Sequence, residues 1–134
     1  MNKKAILPAL LALCLAAGHA RSQAPAAVLP GFTAYADPAE EKVEINEHKG
    51  VIHWTGNTNT VNFYFHAAAA GPLKVTLQAR SDKASKLLVS LNGAEKIVII
   101  PYNTDYVNIP ALQTNIKQPG FYCISLKGVE KSGN

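Results

Sequence analysis

The residues best suited to chemistry in this chain gather around its one tryptophan, in the stretch HWTGNTNTVNFYF at residues 53–65. Trp54 stands ahead of Asn57, Thr58, Asn59 and Thr60. An exposed indole can stack on the C–H face of a sugar while amides and hydroxyls take the sugar's hydroxyl groups. The same spacing also suits a plug: Trp54 alternates with Ile52, so it can pack in a core with its N–H satisfied by a carbonyl, and Asn, Thr and Gly are ordinary turn residues. A second aromatic and polar set follows at Tyr102, Asn103, Asp105 and Tyr106, in a stretch read as a loop after Pro101. A third, Tyr64, His66, Gln78 and Arg80, occupies the polar positions of two successive alternating segments, where the same side chains serve equally as a solvated sheet face.

Other chemistries find less support. Asp37, Glu40, Glu41, Glu44 and Glu47 supply oxygen for a structural calcium ion, but Lys42 interrupts the run and no fixed ligand spacing is present, which favours a solvated acidic edge. His48, His53 and His66 lack zinc spacing, and Cys123 has no second cysteine near it. There is no G-x-S-x-G elbow, no H-E-x-x-H helix and no phosphate-cradling glycine loop, so a non-catalytic role is expected.

The elements that must position these residues are strands. Val61, Phe63 and Phe65 alternate with Thr60, Asn62, Tyr64 and His66; after Gly71-Pro72, Leu73, Val75, Leu77 and Ala79 alternate with Lys74, Thr76, Gln78 and Arg80. Successive side chains of a strand point to opposite faces, so each run has one apolar and one wet face. Leu87, Val89 and Leu91 lead into Asn92-Gly93, whose tolerance of positive φ predicts a tight type I′ hairpin returning through EKIVII at residues 95–100. That return strand is apolar on both sides, which predicts either a central strand covered on both faces or one lying beside a loop. Residues 109–116 are expected to hold a short strand after Pro110, and FYCISLK at residues 121–127 the last strand, with Tyr122, Ile124 and Leu126 inward and Phe121 and Cys123 outward. Residues 31–35 and 42–47 are further strand candidates, and KGVEKSGN reads as a polar tail. Short strands separated by turns predict an all-β antiparallel sandwich of the jelly-roll kind.

The first 20 residues stand apart. Lys3 and Lys4 precede an apolar run from Ala5 to Ala17, and Gly18-His19-Ala20 offers small residues for a signal peptidase cutting after Ala20. A secreted or periplasmic location follows as an expectation; the run is too short for a membrane span. Leu13 before Cys14 is wrong for a lipidation site. Residues 21–30 read as a linker and 31–134 as one domain. Loss of Lys3 and Lys4 takes the 13 basic residues to 11 against 9 acidic ones, a net charge of 11 − 9 = +2. With no basic stripe, nucleic acid is not an expected partner. Cys123 then remains alone, so the fold must stand on its core.

The order of these segments (VNFYF, AGPLKVTLQAR, LLVSLNG and QPGFYCISLKGVEKSG) resembles a family of bacterial secreted β-sandwich domains, the domain of unknown function 5077 family. It also looks like the wider galactose-binding-like group, which includes many carbohydrate-binding modules. The resemblance covers nearly all of residues 31–134 and rests mostly on core positions. It implies a sandwich fold and, by analogy, recognition of a glycan or polysaccharide, with an accessory domain docking on a partner as the alternative. Family members commonly run on into a second, larger domain; this sequence stops at Asn134, which is expected of either a stand-alone module or a truncated two-domain protein.

Overall fold

A computed structural model describes residues 26–38 and 42–131. The expected signal segment, residues 21–25 of the linker, and Glu40 and Glu41 of the acidic run lie outside the described residues. Within them the chain forms a short 3-10 turn at Gly31–Thr33 and nine strands: β1 (Tyr35–Asp37), β2 (Glu44–Asn46), β3 (Gly50–Ile52), β4 (Thr60–Ala67), β5 (Gly71–Ser81), β6 (Ser85–Leu91), β7 (Ala94–Ile100), β8 (Asn103–Ile116) and β9 (Gly120–Lys131). Among the described residues there is no helix long and apolar enough to cross a membrane.

The strands make an antiparallel five-stranded sheet in the order β1-β4-β9-β6-β7, a long β5–β8 ribbon and a small β2–β3 hairpin. The sheet and the ribbon are the two layers of the expected all-β sandwich. Alternation decides what lies between them. Val61 on β4, Leu87, Val89 and Leu91 on β6, Val98 and Ile100 on β7, and Ile124 and Leu126 on β9 are buried and share one face of the sheet. Leu73, Val75, Leu77 and Ala79 of β5 are half-buried against that core, while their neighbours Lys74, Thr76, Gln78 and Arg80 are exposed. In β8 the pairing slips between Val75 and Thr76, leaving Ala111 as an extra residue, so that Ala111 and its neighbour Leu112 are both buried. A bulge of this kind lets two adjacent side chains face the same way.

The hairpin at Asn92-Gly93 forms as the sequence predicts, with φ of 53° and 81° at its two central residues. Four other expectations are corrected. Residues 95–100 belong to an edge strand, not a central one: β7 pairs only with β6, and Ile97 and Ile99 on its outer side are exposed. The loop expected at residues 102–108 is mostly strand, because β8 runs unbroken from Asn103 to Ile116 through Pro110. Proline is tolerated there because both strands of a two-stranded ribbon are edges and its missing N–H need not belong to the ladder. Residues 128–131, read as part of a polar tail, continue β9 and pair with β6, Lys86 meeting Glu130 at 2.6 Å. Finally, residues 31–33 form the 3-10 turn rather than a strand, and the early β structure divides into β1, β2 and β3.

Candidate functional site

The tryptophan is a core residue. Trp54 is 7% exposed and belongs to the same buried cluster as Val61, Leu87 and Leu126. The turn that carries it inward is local: His53 adopts the left-handed conformation (φ 51°) immediately after β3, which breaks the strand's alternation and redirects the next side chain. The exposed His53 ring is held by Glu44, Nδ1 to Oε2 at 3.1 Å. Asn59 is likewise structural. It is 2% exposed, and its Nδ2 donates to the Pro38 carbonyl at 2.7 Å, tying the loop before β4 to the segment after β1. The expectation that Trp54, Asn57 and Asn59 form one binding loop is therefore corrected. A ring closed in on both faces cannot stack on a ligand, and although Asn57 is exposed, it has lost its stacking partner.

The row of Tyr64, His66, Gln78 and Arg80 is also divided. β4 and β5 follow one another in sequence but lie in different layers, so Tyr64 and His66 face outward from the sheet and Gln78 and Arg80 outward from the ribbon. The structure makes a different combination. Arg80 sits over the ring of Tyr106, 5.1 Å from its centroid, and its Nη1 donates to the Thr104 carbonyl at 3.3 Å. Tyr102, Asp105 and Tyr106 are exposed, and Asn103 Oδ1 accepts from the Asp105 N–H at 3.1 Å. Of the second candidate set, the structure thus joins Asn103 to Asp105 and brings Arg80 onto Tyr106. However, a guanidinium already occupies the face of Tyr106 that a sugar would use.

The outer face of the five-stranded sheet offers more. Strand register sets Tyr35 beside Asn62, Tyr64 beside Cys123, and His66 beside Phe121. Three rings on this face are open to solvent: Tyr35 at 58%, Tyr64 at 64% and Phe121 at 84% exposure. A polar network lies between them. Ser125 Oγ donates to Asn62 Oδ1 at 2.6 Å, and the half-buried Cys123 thiol reaches the same oxygen at 3.7 Å. Both contacts fall on Oδ1, so the Asn62 amide is oriented with its Nδ2 donors turned the other way. The Tyr64 hydroxyl titrates above its ordinary value. The main cause is the electrostatic influence of Cys123 together with a hydrogen bond to it; burial, Tyr35 and Asp37 add to the effect. The phenol therefore stays neutral and able to donate throughout the physiological range.

At one end this face meets the turns of the sandwich. His66 packs edge-on to Phe121, ring centroids 4.9 Å apart at 67°, which steadies the phenyl ring while leaving a flat side of it uncovered. Phe121 borders an open depression of about 470 Å³ lined also by Asn92, Lys117, Gln118 and Tyr122. The Tyr122 hydroxyl donates to the Gln118 carbonyl at 2.6 Å and so pins the β8–β9 turn. Phe121, Asn92, Lys117 and Gln118 were not among the residues the sequence singles out. The available signal was strand parity: with Tyr122, Ile124 and Leu126 inward, Phe121 is a large apolar ring on the wet side.

Metal chemistry finds no centre here: among the described residues no three His, Cys, Asp or Glu side chains come together to hold an ion. The outer face thus combines open rings, an oriented amide and, at its end, a shallow hollow. Among curated proteins none matches the chain. The model of one protein family, described as a domain of unknown function (DUF5077), matches residues 28–134, which takes in the whole sandwich and the face just described. The chain belongs to the DUF5077 family.

Proposed function

We propose that this domain is a secreted, non-catalytic glycan-recognition module, and that it binds through the outer face of its five-stranded sheet. The observation that carries this reading is Phe121, a phenyl ring 84% exposed on β9, the strand whose Tyr122, Ile124 and Leu126 are turned inward. Burying such a ring would be favourable by about 1.5–3 kcal/mol, so its display needs a reason. Tyr64 and Tyr35 extend the aromatic row, and Asn62, Asn92 and Gln118 supply hydrogen-bonding groups that can both donate and accept. Sugar rings need both: flat apolar surfaces for stacking and bidirectional polar groups for hydroxyls.

The test is a titration of the domain with plant, bacterial and host polysaccharides by calorimetry and affinity electrophoresis. Phe121→Ala and Tyr64→Ala should each weaken binding by tenfold or more, about 1.4 kcal/mol, without lowering the unfolding midpoint. Binding by these variants equal to that of the parent protein would refute the placement.

A second reading, an interaction module that docks on a protein partner, is favoured by the β7 edge. Its outer hydrogen-bonding groups belong to no ladder among the described residues, and Ile97 and Ile99 are exposed beside it. Open edges of this kind are templates for strand addition. Ile99→Lys should abolish protein docking there and leave glycan binding intact.

A further inference from the structure

We infer that the hollow beside Phe121 selects sugars carrying an acidic group, a uronate or a sulfate ester, over their neutral counterparts. This rests on the glycan reading of the same face and goes further, to the class of ligand.

The hollow forms where two turns meet, the β6–β7 turn at Asn92 and the β8–β9 turn at Lys117 to Pro119. Its volume, about 470 Å³, suits one or two pyranose rings. Phe121 provides a stacking wall, fixed by His66. Asn92 and Gln118 provide donors and acceptors. Lys117 is the group that a neutral sugar would not require. None of the lining residues bears a carboxylate, and among the described residues Lys117 makes no ion pair. Lys86 is the one lysine with a carboxylate partner among the described residues, so what marks Lys117 is its place at this rim. Here an ammonium group stands uncompensated at the rim of a hollow with an aromatic wall.

The wall and the charge together restrict the ligand. A free inorganic anion would use Lys117 but not Phe121, and a neutral sugar would use Phe121 but not Lys117. An acidic sugar uses both, its ring on the phenyl face and its anionic substituent on the ammonium group. Lysine is a compact point charge without the fork geometry that would favour one oxyanion shape. Carboxylate and sulfate therefore share the chemistry, and the experiment separates them.

The probes are two matched pairs: polygalacturonate with the same polymer after reduction of its carboxylates, and dextran sulfate with dextran. Each is titrated into the full chain and into its Lys117→Gln and Phe121→Ala variants. Tighter binding of either acidic member than of its neutral parent, by about fivefold or more, supports the inference, provided that Lys117→Gln removes the difference and Phe121→Ala weakens the acidic member's binding. The pair showing the difference identifies the acid. Equal binding within both pairs overturns the inference and leaves the glycan reading standing. A preference that survives Lys117→Gln also overturns it, because the charge being read would then lie elsewhere. An acidic preference untouched by Phe121→Ala overturns it as well, since that is bulk attraction to a basic protein. Failure of all four polymers to bind overturns this inference, and the glycan reading falls separately only if the wider polysaccharide panel fails too.

Discussion

Replacing Trp54 by alanine tests the reading of the architecture most directly, because it separates a core residue from a binding platform. An indole removes about 150–250 Å² from water when buried, and Trp54 retains only 7% of its exposure. At about 25 cal/mol per Å² the transfer contribution is about 4–6 kcal/mol as an upper estimate. Truncations of large aromatic residues in packed cores cost about 3–5 kcal/mol. Trp54→Ala should therefore lower stability by about 3–5 kcal/mol, a large part of the 5–15 kcal/mol typical of a domain. At an m-value of about 2 kcal/mol/M the urea midpoint falls by roughly 2 M. The substitution removes the protein's single tryptophan, so unfolding is followed by far-UV circular dichroism. Trp54→Phe, which keeps much of the volume, should cost less than half as much. In the parent protein the emission should already be blue-shifted and should not move when a glycan is added. A loss below about 1 kcal/mol for Trp54→Ala, or an emission shift on binding, would refute the core assignment.

Three further outcomes are expected. Gly93→Ala places a methyl group in open space but at a φ of 81°, so its cost is purely that of the left-handed backbone, about 1–2 kcal/mol, read from denaturant unfolding. Gly31→Val acts by sterics instead: a Cβ there would lie 2.7 Å from the Gly50 Cα, backbone against backbone, so the N-terminal cover should lift, with increased dye binding to exposed apolar surface and a lower thermal midpoint. The third concerns Tyr64, whose folded-state pKa is raised. Its neutral form is favoured by folding, so its contribution to stability is present below 10.0 and is lost as the pH rises through the folded-state value. Because Cys123 is the leading cause, Cys123→Ser should return the Tyr64 titration toward 10.0, followed by phenolate absorbance against a Tyr64→Phe reference.

Much of the sandwich was legible because alternation is a local signal. The faces of β4, β5, β6 and β9 follow from sequence parity, and the β6–β7 turn from Asn-Gly. What parity cannot supply is the lateral neighbour. β4 and β5 look like a hairpin across Gly71-Pro72, yet they part into opposite layers, and this is why Tyr64 and His66 were wrongly joined to Gln78 and Arg80. Equally, the apolar run of β7 does not reveal that it lies at an edge, since Ile97 and Ile99 would look the same under a covering layer. The candidate site was only partly legible. Parity turns both Tyr64 and Phe121 outward but does not say which outward ring stays uncovered, and the hollow depends on two turns that are distant in sequence. Trp54 was ambiguous for a specific reason: the left-handed turn at His53 just before it is made by a histidine, a type enriched at positive φ but found there in only a minority of cases.

The inequality of the two layers connects Trp54 to the binding face. Five strands at the usual spacing of about 4.8 Å put the outermost axes about 19 Å apart, whereas the two strands of the ribbon span only about 5 Å. The ribbon approaches the sheet along β6 and β7 and cannot cover it all. On the β4 side Phe63, Phe65 and Tyr122 remain half-buried, and other parts of the chain must supplement the second layer. The N-terminal segment does so with Leu29, Ala34, Val43 and Val51, all packed against the core, and with Trp54 as its largest side chain. A tryptophan is needed inside because the ribbon is too narrow. The rings that the proposed recognition requires must then come from the other parity of the same strands, which is where Tyr35, Tyr64 and Phe121 stand. Thus substitutions at Trp54 should act on stability and those at Phe121 on recognition, even though both belong to the same sheet's architecture.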